Sequence, residues 1–198
     1  MNSIAVLGGT FDPPHNGHLC LAQASADALS LERVLLIPTG NPHFKLDKYV
    51  TPVEHRVAMC QLLASLDERF EVNLIEAQRE GITYTADTLE ALHAQHKDAQ
   101  LLFIVGGDCA EHIMTWHRAA DISRLCKLVV VARAGYDSAA AKQALRECGL
   151  GFDVTWIETD VPDVSSTQVR ERVCAGQSIS GLVPDEIERY ILEHRLYV

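Results

Sequence analysis

Ile4-Ala5-Val6-Leu7-Gly8-Gly9-Thr10-Phe11-Asp12-Pro13-Pro14-His15-Asn16-Gly17-His18 contains an apolar run, a glycine pair, a proline-bearing bend and the start of a new segment. Residues 4–7 show no polar alternation, as a strand buried on both faces requires. Beyond His18, the residues Leu19, Ala22, Ala26 and Leu29 share one face of a helix. Strand, glycine turn and helix in succession predict an anion site. Gly8 and Gly9 allow close backbone approach to a phosphate, and the helix N-terminus beyond them offers free N–H groups and a favourable dipole.

Working outward, apolar runs of the same kind recur at 34–37, 101–105, 128–132 and 154–157. Helical spacing lies between them: Val53, Val57, Cys60 and Ala64 predict one buried face, and Leu89 with Leu92 another. Strand alternating with helix predicts an α/β fold of three layers, a doubly wound, mainly parallel sheet with ligands at the carboxyl ends of the strands. Pro184 followed by Asp185 and Glu186 suits the first turn of a helix running through Tyr190 and Leu192. Residues 39–50 and 77–84 read as loops after strands, which serve either as plain connections or as carriers of specificity. The chain of 198 residues is expected to form one domain over residues 1–198, without linker, repeat or low-complexity tract.

Hydrophobic residues make up 47% of the chain and charged ones 22%, values ordinary for a globular protein. With 27 acidic against 17 basic residues the formal net charge is -10, so the molecule as a whole repels DNA, RNA and anionic membranes. A small phosphorylated ligand stays compatible with that charge, because a few His, Lys and Arg side chains with backbone N–H groups can make a locally positive pocket. The six cysteines form no CxxC pair, and no apolar run approaches the ~20 residues of a membrane span. A reduced, cytoplasmic setting without membrane or nucleic-acid partners is the expectation. A homo-oligomer is compatible with the sequence, which carries nothing that decides it.

The glycine turn matches neither GxGxxG nor GxxxxGK[ST], which disfavours a dinucleotide-dependent dehydrogenase and a P-loop NTPase. In place of a P-loop lysine stand His15 and His18, three residues apart around Gly17, able to face one side of a helix start and donate to one phosphate. The competing readings are a pair of surface histidines or half of a zinc site, the latter needing two more ligands that the sequence does not announce.

Residues 8–18 resemble the HxGH signature of the nucleotidylyltransferase superfamily, in the GGTFDPPHxGH form of bacterial nicotinate-nucleotide adenylyltransferases. The resemblance implies a Rossmann-like nucleotidylyltransferase fold. It also implies that Gly8, Gly9, Thr10 and Phe11 belong to an ATP site, where His15 and His18 bind the phosphates and stabilise the transition state. Near the other end, Val164-Ser165-Ser166-Thr167-Gln168-Val169-Arg170 resembles the superfamily's ISSTxIR motif. Physically, Ser165 or Ser166 can cap a helix carrying Val169 and Val173, and Arg170 one turn in can clamp the β and γ phosphates or form a structural salt bridge. Gly106-Gly107-Asp108, closing the 101–105 strand, resembles the family's Gly-x-Asp, which implies that Gly106 and Asp108 approach the adenosine and its ribose.

For the acceptor, Tyr84-Thr85-Ala86-Asp87-Thr88-Leu89 resembles the SYTxDTL segment of the nicotinate-nucleotide enzymes, implying that Tyr84 and Thr85 meet the nicotinate carboxylate. Thr85 is at the same time a candidate helix N-cap. Trp116 matches the tryptophan that the family sets against the pyridine ring, with a place in the core as its other reading. Asn41-Pro42-His43-Phe44-Lys45 is similar to the family's PPHK, which offers His43 and Lys45 to the mononucleotide phosphate, and Arg133 is a further phosphate candidate by position.

The activity implied is transfer of the adenylyl group of ATP to nicotinate mononucleotide, with Mg²⁺ carried in on ATP oxygens and no covalent enzyme intermediate. Two alternatives keep different parts of this reading. One retains the chemistry with another acceptor, such as nicotinamide mononucleotide, phosphopantetheine or flavin mononucleotide. The other is a non-catalytic nucleotide sensor, which would need affinity and not the transition-state clamp of His15, His18 and Arg170.

Overall fold

The computed structural model describes residues 2–42, 50–135 and 137–198. In chain order the first half comprises β1 (Asn2–Gly9), α1 (Asn16–Leu29), β2 (Val34–Pro38), β3 (Asn41–Pro42), α2 (Val53–Ala64), β4 (Phe70–Val72), β5 (Ile82–Thr83) and α3 (Thr85–Gln95). The second half comprises β6 (Ala99–Gly106), α4 (Gly107–Ala110), a 3₁₀ turn at Ile113–Thr115, α5 (Ala119–Leu125), β7 (Lys127–Arg133), α6 (Ala139–Glu147), β8 (Val154–Thr159), α7 (Ser166–Cys174) and α8 (Asp185–Glu193).

Six of the described strands form one parallel sheet in the order β4-β2-β1-β6-β7-β8. Ala5 in the middle of β1 lies opposite Val34 on one side and Leu102 on the other. The apolar runs lack polar alternation because both faces of the sheet are covered. Ala5, Leu7, Leu36, Ile104 and Val131 point into one core with Ala22 and Ala26 of α1, Met59 and Leu63 of α2, Val169 of α7 and Ile187 of α8. Their neighbours Ile4, Val6, Leu35, Phe103 and Val130 point into the opposite core, against Leu89 and Leu92 of α3, Ile122 of α5 and Leu145 of α6. This is the expected doubly wound α/β arrangement, with all five expected strands in place.

The order of the strands locates the site. The chain moves from β1 outward to β2 and β4, then returns to the other flank of β1 with β6 and moves outward again to β7 and β8. Connections leaving β1 and β6 therefore diverge, and a crevice opens beyond the carboxyl ends of those two neighbours. Gly9 ends β1 and Gly106 ends β6 at that crevice.

Several local expectations change. β4 escapes an apolar-run reading because it is a three-residue edge strand, with Phe70 buried and Glu71 exposed. The buried face of α2 is Arg56, Met59, Cys60 and Leu63, rotated from the expected Val53, Val57, Cys60 and Ala64, because a buried arginine occupies what the pattern treats as a polar position. Pro184 stands at the N-cap of α8, one position ahead of the first turn. Within the two loop segments, Asn41–Pro42 and Ile82–Thr83 pair as a small parallel sheet. Among the described residues no helix is long and apolar enough to cross a membrane.

Candidate active site

The bend between β1 and α1 is held from below. Phe11 takes a left-handed backbone (φ 51) and is 1% exposed, so its ring fills the core and lies 4.8 Å from the His18 ring, centroid to centroid. His15 is the N-cap of α1, with extended backbone, and its N–H donates to His18 Nδ1 at 3.2 Å. The two imidazoles lie 3.8 Å apart and 32° from parallel. Gly17 makes this possible: a Cβ there would sit 2.9 Å from His15 Nδ1 and 3.4 Å from Val164. The glycine between the histidines thus leaves room for the two close-packed rings, a reason distinct from backbone freedom.

His15 is buried, and among the described residues its Nδ1 has no partner at full hydrogen-bond geometry. Burial lowers its pKa from 6.5 to about 4, so the ring is neutral at neutral pH. That nitrogen faces the first turn of α1, where it meets the His18 N–H in a capping-box arrangement, so the helix start fixes the ring orientation while the residue lines the cleft described below.

α7 buttresses the same bend. Ser165 is its N-cap, with Oγ accepting from the Gln168 N–H at 3.1 Å, whereas the Ser166 hydroxyl donates to the Pro13 carbonyl at 2.9 Å. The capping alternative is settled for Ser165. Arg170 donates to the Asp12 carbonyl at 2.7 Å and to Thr167 Oγ1 at 3.2 Å. The Ser-Ser-Thr and arginine motif is therefore joined to the histidine bend, although residues 12 and 170 are distant in sequence.

Between these parts lies a cleft of about 580 Å³ lined by Gly8, His15, Gly17, His18, Gly106, Gly107, Asp108, Trp116, Arg133, Ser165 and Ser166, with Leu21, Phe103, Val131 and Val164 among its apolar walls. Arg133 pairs with Asp163 on the rim, where both are exposed, and the charge of Asp108 acts on it as well. The partner carboxylate holds Arg133 above its ordinary value and Asp163 below its own. Among the described residues no three His, Cys, Asp or Glu side chains converge as a metal cluster.

A sequence model described as cytidylyltransferase-like matches residues 6–172, a span that takes in the histidine bend, the Gly-Gly-Asp turn and the Ser-Ser-Thr helix. The chain belongs to the cytidylyltransferase-like family. Two relatives are named probable nicotinate-nucleotide adenylyltransferases. That of Dehalococcoides mccartyi is 42% identical over 97% of this chain and 95% of the relative, and that of Corynebacterium kroppenstedtii is 40% identical over 98% and 90%. The solved nicotinic acid mononucleotide adenylyltransferase of Plasmodium falciparum, complexed with NaAD, shares the fold with a TM-score of 0.80 at 18% identity, covering 100% of this chain and 98% of that one.

Within this cytidylyltransferase-like chain the remaining candidate residues are placed unequally. Trp116 lines the cleft and also packs edge-on against Phe103, 6.2 Å between ring centroids, so it faces both the cleft and the core. Tyr84 is the N-cap of α3 and lies 4.2 Å from the His117 ring. Thr85 is the first residue of α3 and does not cap it, a correction that follows from the extended backbone of Tyr84. Neither Tyr84 nor Thr85 is among the residues lining the cleft, and the same is true of Gly9, Thr10, Phe11, Thr167 and Arg170. His43 and Lys45 lie outside the described residues.

The sequence reading misses Arg56 altogether. Arg56 is 2% exposed and donates to four backbone carbonyls: Thr51 at 2.9 Å, Thr10 at 2.9 Å, Thr39 at 2.5 Å and Gly40 at 3.0 Å. One side chain thereby ties the bend after β1 to the connection after β2 and to the lead into α2. Its partners are all carbonyls in loops, which carry no signature in the sequence. The one available signal was an arginine spaced with Met59, Cys60 and Leu63 on an otherwise apolar helix face.

Proposed function

We propose that the chain is a nucleotidyltransferase of NAD biosynthesis, which transfers the adenylyl group of ATP to nicotinate mononucleotide and yields nicotinate adenine dinucleotide and pyrophosphate. The observation that carries this reading is the adjacent His15–His18 pair lining, together with Ser165 and Ser166, one cleft at the carboxyl ends of β1 and β6. The names of the curated relatives supply the acceptor.

In this reading an oxygen of the mononucleotide phosphate attacks the α-phosphorus of ATP in line. The bond from the α-phosphorus to the bridging oxygen breaks, and pyrophosphate leaves with that electron pair. No nucleophilic side chain takes part, so the protein aligns two anions and stabilises charge on the phosphates. His15 and His18 donate to the ATP phosphates, aided by the N-terminus of α1. The N-terminus of α7, where Ser165 and Ser166 line the same cleft and Thr167 follows them, offers further donors. Arg170, anchored on the Asp12 carbonyl, adds positive charge. Mg²⁺ arrives as part of the nucleotide, held mainly by its oxygens.

Gly8, Gly9, Thr10 and Phe11 shape the backbone under the phosphates, Phe11 from within the core. The turn of Gly106 and Asp108 receives the adenosine, Asp108 accepting from a ribose hydroxyl. Trp116 stacks on the pyridine ring, Tyr84 and Thr85 meet its carboxylate, and Arg133, His43 and Lys45 serve the mononucleotide phosphate. The deciding experiment is pyrophosphate release from ATP with nicotinate mononucleotide, run beside nicotinamide mononucleotide and phosphopantetheine. The expected outcome is turnover on the acid at least about tenfold above the amide, a discrimination of ~1.4 kcal/mol. Absence of pyrophosphate at high enzyme concentration would make the chain a binder and not a catalyst.

A further inference from the structure

The segment after α8 returns to the histidine bend. Arg195 and Tyr197 both take left-handed backbones, φ 50 and 67, conformations that L residues adopt rarely and only when their surroundings hold them. Between them Leu196 packs against the core shared by β1, α1 and α7. The two turns deliver the Tyr197 hydroxyl to Asp12 Oδ1 at 2.8 Å. Asp12 is 2% exposed, and its other carboxylate oxygen accepts from the Thr51 N–H at 3.3 Å while its carbonyl accepts from Arg170. Burial, then the neighbouring Asp12 charge, pushes the Tyr197 hydroxyl well above its ordinary pKa, so it remains a donor at any working pH.

Asp12 stands three residues before His15, next to the left-handed Phe11 on whose ring His18 rests. Anything that moves this carboxylate moves the bend from which both imidazoles project. Tyr197 is not among the residues lining the main cleft, and its hydroxyl is hydrogen-bonded to Asp12. We infer that Tyr197 is a positioning residue for the reaction: its hydroxyl holds the buried Asp12 carboxylate and so sets the bend that aims His15 and His18. The inference rests on the reading above that those histidines serve the ATP phosphates.

Tyr197→Phe removes only the hydroxyl, and Leu196→Ala is its control, loosening the same segment without touching that bond. With the full chain, Tyr197→Phe is expected to lower kcat by about 10- to 100-fold, the scale of an ångström-sized misplacement, with KM for nicotinate mononucleotide within about twofold. Leu196→Ala is expected to lower the thermal midpoint and leave kcat within about twofold. In an Asp12→Ala background, which removes the acceptor, Tyr197→Phe should add no further loss, since each change breaks the same bond. Amide hydrogen exchange over residues 11–18 should quicken in Tyr197→Phe and stay unchanged over α3. Parental kcat in Tyr197→Phe, losses that multiply in the double variant, or an equal loss in Leu196→Ala would each overturn the role. Should the parent release no pyrophosphate, the functional reading falls, while the exchange measurement still decides whether Tyr197 holds the bend.

Discussion

His15 shows how one residue carries both a cost and a use. Folded, its ring stays neutral down to about 4; unfolded, it takes a proton near 6.5. Between those values the unfolded chain binds more protons, so stability falls as the pH is lowered through that window, by up to about 1.4 kcal/mol per pH unit. Urea unfolding at pH 6.5 and pH 5 should show this loss, and His15→Gln should reduce it. For His18, removal of a charge-stabilising donor predicts that His18→Ala lowers kcat by ~10²–10³ with the thermal midpoint little changed; near-normal turnover would remove it from the reaction. Gly17→Ala tests a purely steric claim. Its Cβ would have to displace the His15 ring, so turnover is expected to fall by about 10²-fold while far-ultraviolet circular dichroism stays parental.

At the level of elements, the site is a set of loop ends held by side chains from helices behind them. α7 reaches the histidine bend through Ser166 and Arg170, and α2 reaches three connections through Arg56. Arg56→Met keeps much of the buried volume but leaves four carbonyls and the nearby Asp12 carboxylate without their cation. The expected cost is about 3–5 kcal/mol, read as a lower urea midpoint at constant m. The helix itself was legible from its apolar spacing, but its buried face was misjudged by the rule that an arginine faces water. That rule fails where enough acceptors converge, and Thr10, Thr39, Gly40 and Thr51 converge only after β1, β2 and α2 have packed. Thr85 was misjudged for a related reason: its hydroxyl suits a cap, but the backbone of Tyr84 is the extended residue at which α3 begins.

For the whole molecule, the net charge of -10 sits beside a cleft that gathers His15, His18 and Arg133 at the switch point of the sheet. If that cleft takes ATP, the nucleotide at about 100 times its Kd should add about 2.7 kcal/mol of stability. For a chain of this length that corresponds to a rise of roughly 5–10 °C in Tm, and an unchanged Tm would remove ATP as its ligand. The alternation of apolar runs with helical spacing, visible from residue 4 to residue 192, determined the α/β class, five of the strands and the strand-turn-helix character of the histidine segment. These features are local, because buried strands and helix faces write their periods directly into the chain. The tertiary structure alone decided that β1 and β6 are neighbours, that Ser165 caps while Ser166 ties down Pro13, and that Gly17 makes room for two closely packed imidazoles. It alone brought Arg56 and Tyr197 to the bend at Asp12, because a hydrogen bond to a backbone carbonyl, or to a carboxylate 185 residues away, leaves no periodicity in the sequence to read.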